Sequence, residues 1–328
     1  MKYLVAIVGP TAVGKSQLAL RLAQCFGGEI INVDSRQVYR YMDIGTNKPT
    51  LAEQELVPHH LMDVVDPDED FSLALYCKLA TQVIEVVQQK GKLPLLVGGS
   101  GLYVWSVIEG WSIPAVPPNK ELRRALEIRA QKEGSHTLYR ELQNIDPLAA
   151  GKIHPTNIRR LIRALEIYYV TGQPPSRLWH KEAQDLSVII IGLTMERSEL
   201  YRKIDHRVDK MIEKGLVEEV KSLLQRGYAI SLPSMSGMGY KQIGQFLQGE
   251  ITLPVAIERI KYETHRLARH QYAWFRLSDV RIHWLNASRS SDILSAAQNL
   301  VKGFCHCEEH SDEAISNTRL PRFARNDM

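Results

Sequence analysis

The chain opens on Tyr3-Leu4-Val5-Ala6-Ile7-Val8-Gly9-Pro10-Thr11-Ala12-Val13-Gly14-Lys15-Ser16, an apolar run that flows directly into a glycine-bounded loop ending in Lys-Ser. The run has the length and β-branched content of a buried strand. Gly9 and Gly14 let the backbone curl, so that successive N–H groups between Gly9 and Ser16 point into one concavity. Lys15 adds a point charge there, and Ser16 offers a hydroxyl to Mg²⁺. From Gln17 to Ala23, with Leu18, Leu20 and Leu22 among the apolar positions, the pattern predicts a helix whose dipole faces the same concavity. Strand, anion nest and helix N-terminus in that order form a phosphate-binding loop, and its expected ligand is a polyphosphate.

A second strand-like run, Glu29-Ile30-Ile31-Asn32-Val33, ends in Asp34 and is followed by Ser35-Arg36-Gln37-Val38-Tyr39. In a doubly wound sheet such an acid projects toward the same edge as the phosphate loop. Three readings of Asp34 stand side by side: the acid behind a nucleotidase's Mg²⁺, a general base acting on an acceptor, and a strand-end acid capping the next turn. Ser72 is placed to cap a helix with Leu75, Leu79, Val83 and Val86 at helical spacing, stopped by Gly91. Leu93-Pro94-Leu95-Leu96-Val97 then reads as a buried strand running into Gly98-Gly99-Ser100-Gly101. A motor-type NTPase would carry a metal-binding acid where these glycines stand, which argues against that class. The glycine turn either brings backbone close to a ligand or is a plain tight turn.

Strand, helix and strand in alternation predict a parallel α/β sheet of the P-loop NTPase type. After Gly110, Pro114, Pro117 and Pro118 mark a junction, and the pattern to about Trp179 is helical and charged. Ser187-Val188-Ile189-Ile190-Ile191-Gly192-Leu193 reads as the strand by which the chain re-enters the sheet. The expected division is therefore 1–113 for the first part of the core, 114–182 for a helical insertion, 183–302 for the re-entry strand and C-terminal helices, and 303–328 for a polar, disordered tail.

Composition narrows the class of function. With 328 residues, 44% hydrophobic and 24% charged, the chain is an ordinary globular protein large enough for a sizeable core and a smaller domain. No apolar run approaches membrane-spanning length, and the N-terminal run leads into a functional loop where a signal peptide would carry a cleavage site. Four cysteines without a disulfide framework point to a reducing cytoplasm. Cys305-His306-Cys307 with His310 lacks the second ligand pair of a structural zinc site, and the isolated His59-His60 suggests no role. The net charge is +4; three arginines against five acids give the last 26 residues −2, leaving +6 for the rest. That is compatible with nucleic acid. Arg159, Arg160 and Arg163, offset between Pro155 and Lys181 only by Glu166, are either a solvated helix face or a phosphate-contacting patch. Arg266-Leu267-Ala268-Arg269-His270-Gln271-Tyr272-Ala273-Trp274-Phe275-Arg276 interleaves cations with rings, which suits RNA stacking and phosphate contact or, alternatively, a core helix burying Trp274 and Phe275. Arg207 could complete a diphosphate clamp through its forked geometry, or pair with Asp205 or Asp209.

Taken together, the motif from Gly9 to Ser16, Val33-Asp34-Ser35-Arg36-Gln37-Val38-Tyr39, Met42-Asp43-Ile44-Gly45-Thr46-Asn47-Lys48-Pro49 and Gly98-Gly99-Ser100-Gly101-Leu102-Tyr103 resemble the bacterial tRNA dimethylallyltransferase family. The likeness continues through Arg160-Leu161-Ile162-Arg163-Ala164-Leu165-Glu166, Gly237-Met238-Gly239-Tyr240 and the Arg269 to Arg276 segment, and covers the chain to about residue 286. The resemblance implies transfer of a dimethylallyl group from its diphosphate to N6 of adenosine 37, beside the anticodon of tRNAs that read codons beginning with U. Lys15, Mg²⁺ on Ser16, and Arg207 would neutralise the departing diphosphate, with Thr11 hydrogen-bonding an oxygen and Asp34 taking the N6 proton. The adenine must leave its stack to be reached. By the same resemblance, contacts to the tRNA anticodon stem-loop fall on Asp34, Ser35, Arg36, Gln37, Ser100, Arg123, Arg159, Arg160, Leu161, Ile162 and Arg163. They continue on Ser236, Gly237, Met238, Gly239, Tyr240, Lys241, Arg269, His270, Gln271, Trp274 and Arg276. Ser100 stands where threonine is usual, and His270 and Ala273 replace the Arg and Thr often found there. A monomer is expected. Two other classes compete: a small-molecule kinase that uses Asp34 on an acceptor hydroxyl, and an RNA-binding P-loop protein without catalysis.

Overall fold

The computed structural model describes residues 2–182, 185–288 and 292–316, with side chains described through Cys305. In chain order the strands are β1 (Tyr3–Val8), β2 (Glu29–Val33), β3 (His59–His60), β4 (Pro94–Gly98), β5 (Trp111–Ser112), β6 (His180–Lys181), β7 (Ser187–Thr194) and β8 (Ile282–Asn286). The α-helices are α1 (Lys15–Phe26), α2 (Leu51–Leu56), α3 (Leu73–Gln89), α4 (Gly101–Ile108), α5 (Lys120–Glu133), α6 (Ser135–Ile145) and α7 (Pro147–Ala150), followed by α8 (Ile158–Thr171), α9 (Pro175–Leu178), α10 (Arg197–Glu213), α11 (Leu216–Gln225), α12 (Tyr240–Leu247), α13 (Leu253–Trp274) and α14 (Ile293–Ser316). The chain divides into two compact units: one from the described residues of 1–70, 82–104 and 186–328, the other from 71–81 and 105–185.

The first unit is built on a six-stranded sheet of order β3-β2-β4-β1-β7-β8, with every pairing parallel. β1 is central, and Leu4 to Val8 are wholly buried, as a near-continuous apolar strand covered on both faces requires. The expected re-entry strand is β7, paired with β1 from Tyr3↔Ser187 to Val8↔Gly192. All strands run the same way, so the loops after β1, β2 and β4 share the carboxyl edge, where open α/β sheets bind ligands. The His59-His60 pair forms the edge strand β3, and His60 Nε2 lies 2.7 Å from Glu29 Oε2.

Three expectations change here. Ser72 does cap α3, accepting from Leu75 N at 3.1 Å, but the buried face is Tyr76, Ala80, Ile84 and Val87, while Val86 is 46% exposed. The sequence carries two adjacent apolar stripes with the same i, i+4, i+8, i+11 spacing, and only packing chooses between them. β8, which pairs with β7, has no predicted counterpart, because Ile282-His283-Trp284-Leu285-Asn286 is short, polar-interrupted edge sequence. The tail expected from Gly303 begins instead as a continuation of α14, which is helical to Ser316. Phe304 and Cys305 pack on the core, with the Phe304 ring edge-on to Tyr3 at 5.3 Å and the Cys305 carbonyl accepting from Tyr3 Oη. Residues 317–328 and the His306, Cys307 and His310 side chains lie outside the described residues.

The second unit is helical as expected. Asn119 and Asn157 cap α5 and α8, and left-handed Gly172 ends α8, the arrangement that helix ends favour. Leu126, Leu138, Leu142, Leu161 and Leu165 form its core. It is larger than the predicted 114–182, since 71–81 belong to it and it resumes at residue 105. The division at 81/82 falls inside the regular helix α3, where no Pro or Gly could announce it. A short antiparallel pair, β5 with β6, is also unanticipated.

Candidate active site

The phosphate loop has the predicted curl. Gly9 sits at φ +136°, and a Cβ there would come within 2.4 Å of the Leu193 carbonyl oxygen; only glycine fits this close approach. Gly14, at φ +106°, precedes α1 in left-handed geometry, and Ala12 also adopts a positive φ of 64°. Lys15 Nζ folds back to donate to the Pro10 carbonyl at 2.6 Å. Burial pushes its ammonium down to about 7, the Arg207 charge acts the same way, and Asp34 opposes both. A glycine-curled loop leading into a helix N-terminus, with Lys15 and Arg207 lining the same cavity, suits an anion.

Thr11 is held from two sides. Arg207 Nη1, from α10, donates to Thr11 Oγ1 at 3.2 Å, while Thr11 N donates to Gln271 Oε1 on α13 at 2.7 Å. The alternative partners of Arg207 are engaged elsewhere: Asp205 lies 2.8 Å from His265 Nε2, and Asp209 pairs with Lys261 at 2.9 Å. Burial lowers the pKa of Arg207, with Asp34 opposing. Asp34, just past β2, accepts from Arg36 N through Oδ1 at 2.8 Å, an Asx turn that fixes the carboxylate. Asn32 supports the same turn, donating from Nδ2 to the Asp34 carbonyl at 3.4 Å, and also donates to the Leu61 carbonyl at 3.0 Å.

Two cavities meet at these residues. One, of about 810 Å³, is lined by the loop from Thr11 to Ser16 and by Lys203. The other, of about 480 Å³, is lined by Ser35, Arg36, Ser100, Tyr103, Gly237, Met238, His270 and Trp274. Thr11, Asp34, Gly99, Arg207 and Gln271 line both. An anion seated in the first cavity and a second reactant entering by the other would therefore meet at Asp34. Ser16 stands in the first turn of α1 beside the anion nest. Among the described residues no group of three His, Cys, Asp or Glu side chains could hold a metal.

Segments expected to touch RNA converge on the second cavity from four parts of the sequence, but several side chains have other work. Tyr240 is 1% exposed and donates to Glu219 Oε1 at 2.6 Å; burial, and then the Glu219 charge, push its pKa upward. Gln271 is buried at 7% exposure. Arg36 clamps the 233–236 turn, donating to the Pro233 carbonyl at 2.7 Å and to Ser236 Oγ at 3.2 Å. Gln37 donates to the carbonyls of Thr46 and Asn47. Lys241, Arg269, His270 and Arg276 are exposed; Phe275, at the end of α13, is wholly buried, whereas Trp274 is 39% exposed, so the expected core role holds for Phe275 and not for Trp274. The glycine turn after β4 lines the cavity and also admits close packing: a Cβ on Gly101 would come within 2.3 Å of the Trp274 ring, and one on Gly99 within 2.1 Å of Gln271 Nε2.

In the second unit Leu161 and Ile162 are core residues, 0% and 4% exposed, and their side chains cannot meet RNA. Arg163 donates to Glu166 Oε2 at 2.6 Å and to the Val116 carbonyl at 2.9 Å. Arg123 donates to both Glu166 oxygens at 2.8 Å, and Glu166 is 0% exposed. Arg159 and Arg160 are exposed, and among the described residues their guanidiniums have no hydrogen-bond or ion-pair partner. Glu219 was invisible in the sequence. It accepts from the N–H groups of Asp43, Ile44 and Gly45, anchoring the loop that follows the Asp34 turn, yet Glu218-Glu219 reads only as a charged helix start.

A model of the family described as IPP transferase matches residues 37–278, and one described as isopentenyl transferase matches residues 2–62. A tRNA dimethylallyltransferase from Thermomicrobium roseum is 51% identical over 88% of this chain and 87% of its own length. One from Herpetosiphon aurantiacus is 50% identical over 94% and 98%. The crystal structure of the full-length tRNA isopentenylpyrophosphate transferase from Bacillus halodurans, 41% identical, matches with a TM-score of 0.71 over 95% of this chain and all of that one. A eukaryotic dimethylallyltransferase acting on tRNA, 29% identical, matches with a TM-score of 0.75 over 98% of this chain and 82% of that one. The phosphate loop, the Asp34 turn and the two joined cavities thus sit in a chain that belongs to the IPP transferase family, the tRNA dimethylallyltransferases.

Proposed function

We propose that this chain transfers the dimethylallyl group of dimethylallyl diphosphate to N6 of adenosine 37 in tRNAs that read codons beginning with U, releasing diphosphate. The observation that carries this reading is the shared lining of the two cavities by Asp34, Thr11 and Arg207: one cavity suits a diphosphate, the other opens among segments suited to RNA. The nest recognises charge and oxygen geometry and ignores what is attached, so it holds an isoprenoid diphosphate as readily as a nucleotide.

As the allylic C–O bond breaks, its electron pair leaves with the diphosphate, and Lys15 and Arg207 stabilise the growing negative charge. Thr11 Oγ1, aligned by Arg207, hydrogen-bonds the bridging oxygen. The N6 lone pair forms the new C–N bond, and Asp34, one of whose oxygens is occupied by Arg36 N, takes the N6 proton on the other. The adenine enters the second cavity flipped from its stack, beside Trp274 and His270. A Mg²⁺ bound with the donor, held by the Ser16 hydroxyl and diphosphate oxygens, would supply further charge neutralisation. Arg159, Arg160, Lys241, Arg269 and Arg276 are the exposed cations for the RNA backbone. Cys25 and Cys77 are free thiols, in keeping with the cytoplasm.

The test is incubation with unmodified tRNA and either labelled dimethylallyl diphosphate or γ-labelled ATP. Label from the isoprenoid donor should appear in tRNA. Transfer from ATP to a small acceptor would establish the kinase class, and tRNA binding without transfer the non-catalytic one.

A further inference from the structure

We propose that Gln271 is a positioning residue that sets the phosphate loop from α13 and acts on the transfer step, not on RNA affinity. The inference rests on the function proposed above. Gln271 uses both ends of its amide inside the protein: Oε1 accepts from Thr11 N at 2.7 Å, and Nε2 donates to the Gly99 carbonyl at 3.0 Å. Thr11 N can only donate and the Gly99 carbonyl only accept, so the two partners fix which end of the amide points where. At 7% exposure, with a Cβ-free Gly99 making room for its Nε2, the side chain is seated between the loop after β1 and the loop after β4.

The consequence falls on Thr11. Its N–H, which in a phosphate nest would face the anion, is drawn out to Gln271, while its hydroxyl receives Arg207. Gln271 and Arg207 thus hold Thr11 from backbone and side chain at once, and Thr11 lines both cavities. Without Gln271 the Thr11 N–H and the Gly99 carbonyl lose their partner, and the first turn of the loop is free to follow the anion. Arg207 then loses the fixed hydroxyl that aligns it. Anion binding through the later N–H groups survives, but the alignment of the leaving group does not. A misplacement of about 1 Å is enough to slow a reaction by about 10²-fold. On the same helix His270 and Trp274 line the acceptor cavity, so α13 serves both reactants with adjacent residues.

Gln271→Ala and Gln271→Met separate the possibilities, because Met keeps the volume and removes both hydrogen bonds. Single-turnover transfer at saturating donor and tRNA is measured for each beside wild type, with tRNA Kd and Tm determined separately. Both variants should be slowed about 10- to 100-fold with tRNA Kd unchanged, and the folded Met variant carries the comparison should the Ala variant fail to fold. Wild-type rates in Gln271→Met would reduce the residue to packing, and a raised tRNA Kd with an unchanged single-turnover rate would make it an RNA contact; either overturns the proposal. An inactive wild type would instead remove the proposed function, and this inference with it.

Discussion

Arg207 Nη1 donates to Thr11 Oγ1 across 3.2 Å, joining residues 196 positions apart and bringing a cation from α10 to the lip of the phosphate loop. Arg207→Ala should lower the single-turnover transfer rate by about 10²- to 10³-fold, the scale of losing one preorganised charge-stabilising donor, and leave tRNA affinity intact. Arg207→Lys should recover little, since an ammonium lacks the planar fork. Rates at saturating donor and tRNA, set beside tRNA titrations, check both.

Lys15 makes a prediction about protons. With its ammonium held down to about 7, a substantial fraction of free enzyme is neutral there at slightly alkaline pH, and a bound diphosphate favours the charged form. Donor binding should therefore take up a proton above pH 7, and donor affinity should weaken as pH rises through that value. Calorimetry in buffers of different ionisation enthalpy reads the uptake, and Lys15→Ala should abolish it.

Asp34→Asn keeps the shape of the turn and its bond from Arg36 N while removing the base. Transfer should fall by about 10²- to 10⁴-fold with donor binding preserved, which burst experiments at saturating tRNA will measure.

The arginines of the helical unit divide differently from their charges. Arg159→Ala and Arg160→Ala should each reduce the log–log salt slope of tRNA affinity by about 0.7 to 0.9 for each RNA phosphate the side chain neutralises. Removing the buried partner, as in Glu166→Ala, should instead destabilise by about 1–3 kcal/mol, since Arg123 and Arg163 lose their charged acceptor but keep about a third of their side-chain surface in water. Salt titrations and thermal melts assign each residue to its class.

Acid stability should depend on Glu29, which is 1% exposed and ringed by His60, Lys90 and Lys92. Burial raises its pKa, but hydrogen bonds from Lys92 and His60 and the lysine charges outweigh burial and hold it at about 2, against an ordinary 4.5. A folded-state value below the unfolded one means stability that is fully present above pH 4.5 and lost as pH falls toward about 2. Glu29→Gln should melt earlier at neutral pH and lose less of its stability on acidification, as melts from pH 7 to 3 will test.

The phosphate loop, the strands that flank it and the acid at the end of β2 were legible in the sequence because each is local chemistry: φ values that only glycine adopts freely, apolar runs of strand length, and a charge next in line. Sequence by itself also determined the parallel α/β class and the helical insertion, through alternation and proline punctuation. Tertiary structure alone decided which of two equivalent apolar stripes on α3 turns inward, that Leu161 and Ile162 are core, and that Arg163 and Arg123 are taken by Glu166. It likewise decided that Gln271 and Trp274 pack against Gly99 and Gly101 and that Glu219 holds the loop at Gly45. Those choices join residues that are in most cases tens to hundreds of positions apart, and no residue records locally which distant partner will meet its hydrogen-bonding or apolar surface. The chemistry of the site could be named from single segments, whereas the fixing of that chemistry in space is a property of the packed whole.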